Sequence, residues 1–557
     1  MNTNYSKKWS LFVFSALLAI IAVYIGGDLL LLNTKIYNYY GDTFKNYYHI
    51  ILASKANYSF IIDKVNYPFG EHIVYLDAQP LLVWFIKAFN LHDYTVGIIN
   101  FLPILSIALC GIPVFLVQRF FKLPLVLNVI SSILIALLAP QLERATGHFG
   151  LSYSFYIPTI YCVLLTTNWS WFTKYFISFI LVVAFSFLHP YYLIIGVVLL
   201  LSFSFYHLFV LFNKRAFVFN ISFALLALVV FKTIMFFTDS VKDRPENPYG
   251  MDVYSSNLQG IFFPKFKPFA ELVKGFNVSL SFESNAYIGI LGLPAIFIFV
   301  YFLLSKFSQR NSFHFKNQST FIYLFISACF VWLFALYSPV KFILKPLQDL
   351  IPAFKQFRGL GRLGWIVYFI FSLTISRVVY VLFIKIFTKT KWAYLFLVLC
   401  YFLWFLDANA NLSSFAKHFN KAHNYKSLTE NIKQNSNKLN LAKYNFDAAL
   451  ALPIYHLGSE IENFEAHSFS YSRVFMIADE LQIPIISTHS SRTSKKQFLA
   501  IKALKENMDF SQVAPSNTSI LFVVDNLLLT KNDSILLSNS ETILVDGSIV
   551  YAKYLVP

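Results

Sequence analysis

A chain of 557 residues that is 57% hydrophobic, 19% aromatic and only 13% charged has the composition of a polytopic membrane protein, not of a soluble globule. Its formal net charge of +17 does not point to nucleic acid, because Lys and Arg fall in short clusters between apolar spans, where they set membrane orientation. Cys110, Cys162, Cys329 and Cys400 all lie in apolar stretches without ligand spacing, so they read as packing residues rather than disulfides or metal ligands.

Residues 1–10 carry Lys7 and Lys8 and lead into an apolar run, 11–32, long enough to span a bilayer. The run is long for a signal peptide and no cleavage site is clear, so it reads as an uncleaved first helix with a cytoplasmic amino end. The stretch 41–79 follows and carries Asp42, His49, Asp63, Glu71, His72 and Asp77. Ionisable groups are costly beside hydrocarbon, so this density favours a functional segment over a solvated linker. Within it, NYPFGEH (66–72) has turn chemistry that presents Glu71 and His72. Residues 80–89 are apolar but too few to cross, and are expected to lie in the interface.

Further spans are expected at 95–118, 123–142, 150–168, 172–188, 191–212, 216–238, 287–305, 319–338, 362–384 and 391–406, about eleven in all. Alternate loops carry Lys7/Lys8, Arg119/Lys122, Lys174, Lys214/Arg215, Lys306/Arg310/Lys316 and Lys385/Lys389/Lys391, in clusters without acids. The opposite loops (33–94, 143–149, 189–190, 239–286, 339–361 and everything after Asp407) are mostly longer and mixed in charge. The positive-inside rule therefore puts these outside the cytoplasm.

That outer side gathers several polar clusters. ERATGHFG (143–150) holds Glu143, Arg144 and His148, and HPYY (189–192) sets His189 at a helix mouth. A lone His there is ordinarily an interfacial residue; two from separate helices suit a phosphate, a metal or a carboxylate. The loop opened by DSVKDRPENPYGMD (239–252) holds Asp239, Asp243, Arg244, Glu246 and Asp252, and Glu283 precedes the next span. FRGLGRLGW (357–365) contributes Arg358 and Arg362, whose i, i+4 spacing predicts one shared helix face. Such a guanidinium pair suits a phosphate or diphosphate, or more plainly an anchor to anionic headgroups. The tail, 407–557, is polar: a Lys/Asn-rich helical stretch at 413–445, then β-branched runs at 483–488, 519–524 and 541–550, predict a compact α/β domain. Its His456, Glu460, His489 and Arg492 are candidates to contact a substrate, but taken singly each reads rather as a residue of a domain that caps the membrane part.

YPFGEHIVYLDAQPLL, ERATGHFG, HPYY and FRGLGRLGW, with Gly41-Asp42 in the first outer loop, resemble segments of uncharacterised bacterial multi-pass proteins of the type C (GT-C) superfamily of membrane glycosyltransferases. The resemblance implies an all-α polytopic membrane body of GT-C type over 1–406, and an extracytoplasmic C-terminal α/β domain over 407–557. It implies a location in the bacterial inner membrane. It further implies transfer of a sugar from a polyprenyl-phosphate donor to an envelope glycan, lipid or protein acceptor, with the bilayer and no nucleic acid as partners. Asp42 would be the catalytic base. Asp77, Glu71, His72, His148, Arg144, His189, Arg244, Glu283, Arg358 and Arg362 would bind substrate, the last two holding the phosphate. Many members carry paired acids where this chain has Gly41-Asp42-Thr43. Asp42 is therefore open to three roles: base, metal ligand, or partner of Asp77. The cofactor is equally open, with a divalent cation as the candidate. A flippase of lipid-linked sugars would instead need ionisable groups in mid-span, for which Lys232 and Arg377 are the candidates. A non-catalytic envelope scaffold would have no need of Asp42.

Overall fold

In long apolar runs the backbone can bond only to itself, so each run folds as a helix. The computed structural model describes residues 3–557 except 40, 58, 246–250, 252, 277–280, 309–316, 351–357, 386–389, 440–443, 459–462 and 465–468. Glu246, Asp252, Arg310, Lys316, Lys389 and Glu460 thus lie outside the described residues. Among the described residues, seven helices are long and apolar enough to cross a membrane: Ser6–Thr34, His92–Phe120, Tyr191–Phe209, Lys214–Thr238, Gln318–Leu336, Leu360–Phe383 and Lys391–Asn420. Leu125–Leu138 and Pro140–Thr146 make an eighth if counted as one span bent by 40°. The bend falls at Ala139, whose ψ of 131° is the extended conformation that a following proline imposes. The other three expected spans are shorter apolar helices, Phe149–Leu165, Trp171–Ser186 and Gly292–Ser305. The last long helix does not stop at Asp407, where the sequence changes character. It runs on to Asn420, with the Asp407 carboxylate buried and accepting from Tyr287 Oη at 3.1 Å and the Ile290 amide at 2.7 Å.

The first outer loop is not an open loop. Gly41, at a φ of +61° that favours glycine, starts a helix, Gly41–Lys55, that is buried at every position from Phe44 to Ser54. Such burial requires cover on both sides. One side packs on Pro80–Ala88 and Thr95–Phe120 of the body, and the other on Phe469–Leu481 of the tail. Phe44 and His49 lie against Phe475, with ring centroids 6.0 and 5.6 Å apart.

The tail is built on a four-stranded sheet. Ser519–Asp525 is flanked by parallel Ala448–Leu452 and antiparallel Ile549–Leu555, with Glu541–Asp546 at the far edge. Side chains alternate between its faces, as strand geometry requires. Ala449, Ala451, Leu521 and Val523 join a core shared with Tyr47, Ile50, Ile51 and Val65 of the first outer segment. Ala448, Leu450, Ile520 and Phe522 form a second core with Ile501 and Leu504 of helix Lys495–Asn507. One face of the tail domain is thus completed by the first loop, and backbone bonds from Tyr67 to Ile485 and from Ile485 to Lys64, both 2.9 Å, reinforce the join.

A buried ionic clasp closes the same seam. Arg244 donates Nη2 to Glu71 Oε1 and Nε to Asp239 Oδ2, both at 2.8 Å, and Nη1 to the Arg492 carbonyl of the tail. Its guanidinium stacks 4.0 Å from the Tyr75 ring centroid. Arg244→Ala leaves Glu71 buried without its cation, and should cost about 3–5 kcal/mol in detergent-solubilised unfolding. Arg244→Ala/Glu71→Gln should recover part of that loss, and strictly additive single losses would show that the pair is not coupled.

Candidate active site

Where the tail meets the helical body lies a cavity of about 590 Å³, within the range of small-molecule sites. Asp42 lines it from the first turn of the first-loop helix, where the helix N-terminus favours a negative charge. Lys45, one turn on, bonds Asp42 Oδ1 at 2.8 Å and Asp77 Oδ2 at 3.0 Å. Asp77 occupies a turn at a φ of +55°, a left-handed conformation that Asp tolerates better than most residues. That turn is pinned by His49 Nδ1, which donates to the Leu76 carbonyl at 2.9 Å. Because a carbonyl only accepts, the bond sets the tautomer of His49. His148 Nε2 lies 3.6 Å from Asp42 Oδ2, and His489 Nε2, from the tail, 3.5 Å from Oδ1. Both distances are long for a hydrogen bond, so the two imidazoles flank the carboxylate without saturating it. Tyr471 Oη orients His489 through Nδ1 at 2.7 Å.

Across the cavity stands a cationic wall. Arg362 donates Nε and Nη2 to the two oxygens of Glu283 at 2.8 and 2.9 Å and stacks 4.0 Å from the Tyr191 ring centroid. Arg144 grips Glu283 from behind at 3.1 Å and lies over Phe282. Arg358 reaches the cavity from before the helical turn Leu360–Leu363. The two arginines therefore meet through this loop and not, as their spacing suggests, along one helix face. Gly361 permits it: a Cβ there would sit 2.5 Å from the Glu283 carbonyl, and its amide donates to Tyr254 O at 2.8 Å.

The lining sets the carboxylates of Asp42, Asp77 and Glu283 against five cations, Lys45, Lys232, Arg358, Arg362 and Arg492, so it suits an anionic ligand. The Lys45 ammonium holds the Asp42 carboxyl well below the usual carboxylate range. Burial raises Asp77, but Lys45 and His189 outweigh it and its carboxyl is lowered. Burial pushes down the imidazoles of His148 and His489, and pushes His49 and His189 to about 3.

The expected base Asp42 and, of the residues expected to bind substrate, Asp77, His148, His189, Glu283, Arg358 and Arg362 line this one cavity. Glu71, His72, Arg144 and Arg244 do not. Their polar groups are spent on the protein: Glu71 and Arg244 on each other, Arg144 on Glu283, and His72 Nε2 on Thr238 Oγ1 at 3.0 Å. Lys45, Lys232, His489 and Arg492 were not among the expected binding residues, yet they line the cavity. The spacing of Lys45 from Asp42 was a readable signal; His489 and Arg492 enter only because the tail docks on the first loop. Among the described residues no group of three or more His, Cys, Asp or Glu is arranged to hold a metal ion. Between Asp42 and Asp77 the position is taken by Lys45.

Membrane-length helices closed at one end over a polar, cation-rich cavity define a multi-pass membrane protein. The chain belongs to the family described as a domain of unknown function (DUF6311), whose model matches residues 13–409. No curated protein matches the sequence. Among solved structures, the three that follow align over more than nine-tenths of this chain, all at low scores. ArnT from Cupriavidus metallidurans in the apo state aligns at 11% identity and a TM-score of 0.47, over 99% of this chain and 98% of that one. ArnT bound to undecaprenyl phosphate gives 10% identity and 0.46, with 98% of each chain covered. The oligosaccharyltransferase AglB from Archaeoglobus fulgidus, in complex with an inhibitory peptide and a dolichol-phosphate, gives 12% and 0.43, over 93% of this chain and 70% of that one. Likeness at these scores carries no argument about chemistry, which rests on the cavity itself.

The buried histidines make the fold acid-sensitive. An imidazole held at about 3 when folded titrates near 6.5 when unfolded, so its contribution is complete above about pH 6.5 and is lost as the pH falls towards 3. For His49, wholly buried, lowering the pH to 5 should cost about 2 kcal/mol. Thermal unfolding in detergent should show Tm falling between pH 7 and pH 5, with a shallower fall in His49→Gln. An identical slope in that variant would show that His49 does not carry the effect.

Proposed function

We propose that this protein is a glycosyltransferase that moves a sugar from a polyprenyl-phosphate donor to an envelope acceptor on the extracytoplasmic face of a bacterial inner membrane. One observation carries the reading: a single cavity joins the ionised Asp42 to a wall of arginines at the membrane end of the fold. In the transfer, an acceptor hydroxyl attacks the anomeric carbon as the bond from that carbon to the phosphate oxygen breaks. Asp42 takes the hydroxyl proton, and Arg358 and Arg362 hold the charge that gathers on the departing polyprenyl phosphate. Lys45 keeps Asp42 ionised, so the base stays available across the neutral range. Lys232 lines the cavity from helix Lys214–Thr238, which is largely uncovered by protein, and suits a phosphate entering from the bilayer. Arg377, the flippase reading's other mid-span candidate, is engaged elsewhere, with the Phe121 carbonyl at 3.3 Å, and lines no part of this cavity.

Asp42→Asn should lower transfer from a polyprenyl-phosphate sugar by about a hundredfold to ten-thousandfold while the protein still inserts. Arg358→Ala should act mainly on the donor, raising its KM by about tenfold or more. Wild-type levels of transfer in Asp42→Asn would remove the base assignment. A periplasmic reporter fused after Pro557 should be active, and activity from a cytoplasmic reporter there would reverse the orientation.

A further inference from the structure

We propose that the Lys45 ammonium is the resident cation of this site: it stands between Asp42 and Asp77 where a divalent metal would otherwise bind, and transfer runs without metal. The inference rests on the glycosyltransferase reading and adds to it the identity of the charge that serves both carboxylates. Both line the cavity, and both spend an oxygen on the same nitrogen, at 2.8 and 3.0 Å, distances typical of charge-assisted hydrogen bonds. The Lys45 side chain is only 4% exposed, so it is a built part of the site and not a surface chain folded over it. It lies one turn along the buried first-loop helix from Asp42, and His49, one turn further on, fixes the turn that carries Asp77.

The chemistry of the ligand set agrees. A cation between carboxylates lowers their repulsion whether it is an ammonium or a metal, but an ammonium brings one charge and three directed N–H groups. Two of those groups go to Asp42 and Asp77, which leaves the third for a sugar or phosphate oxygen in the cavity. A divalent ion would need the same carboxylate oxygens, and the ammonium would have to leave a buried position between two acids to admit it. Remove the amine and the cavity holds two adjacent carboxylates with no cation between them, a pair that either shares a proton or takes up a metal.

The test uses the full chain, purified in detergent and stripped with EDTA, with free Mn²⁺ followed by electron paramagnetic resonance during titration. The wild-type protein should take up no Mn²⁺ in the micromolar range and should keep its transfer rate within about twofold in EDTA. Lys45→Ala should gain one Mn²⁺ per chain with affinity raised about tenfold or more, and Lys45→Ala/Asp42→Asn should lose that gain. Transfer by Lys45→Ala should fall about a hundredfold and recover in part on adding Mn²⁺. Two results overturn the proposal: a wild-type Mn²⁺ site that disappears in Asp42→Asn, or a folded Lys45→Ala that gains no Mn²⁺ affinity. The wild-type titration needs no variant, so a misfolded Lys45→Ala does not block the test. Absence of transfer from any polyprenyl-phosphate sugar would sink the glycosyltransferase reading alone, because Mn²⁺ uptake is read without turnover.

Discussion

The structure depends on the burial of one short helix, Gly41–Lys55, between the membrane body and the tail domain. Fifteen residues would hardly hold as an isolated helix in water; this one holds because both of its sides are covered. Its apolar residues join the core that contains one face of the tail sheet. The same helix carries Asp42, Lys45 and His49, so the forces that dock the tail also set the geometry of the site. Removing either neighbour would uncover apolar surface and loosen the acids together.

Electrostatics works in the same frame. A charge withdrawn from water is tolerable only when a partner is held close, and three groups of charges at this seam are paired in that way. Lys45 serves Asp42 and Asp77, Arg362 and Arg144 share Glu283, and Arg244 serves Glu71 and Asp239. Apart from Arg144, which grips Glu283 from behind, the first two groups face the cavity; the third locks the seam beside it. The distinction matters, because a mutation in the lock acts through folding and one in the cavity through chemistry. The neutral histidines complete the arrangement: uncharged at ordinary pH, they flank Asp42 without competing with Lys45 for its charge.

Much was legible in the chain itself. Apolar runs and basic clusters are local properties, and they located the apolar helices, though not the bend that Pro140 imposes or the run of the last helix to Asn420. The polar segments that meet at the cavity were also visible, because ionisable groups are rare in so apolar a chain. The helix within the first outer loop was not anticipated, because it is buried at every position from Phe44 to Ser54 and so lacks the one-sided apolar stripe of a surface helix. Asp407 looked like the start of the polar tail, yet it lies inside a helix, satisfied by Tyr287 and Ile290.

Composition and charge placement by themselves determined a multi-pass protein with most of its acids and histidines in alternate loops and a small α/β tail. Only the tertiary structure decided which of those groups share a site. Glu71, His72, Arg144 and Arg244 looked no different in sequence from Asp77, His148 or Arg362, but they face protein instead of the cavity. His489 and Arg492 join the site from the far end of the chain. The reason is physical. The partner a charged side chain takes is set by the surfaces that close over it, and those surfaces come from segments distant in sequence.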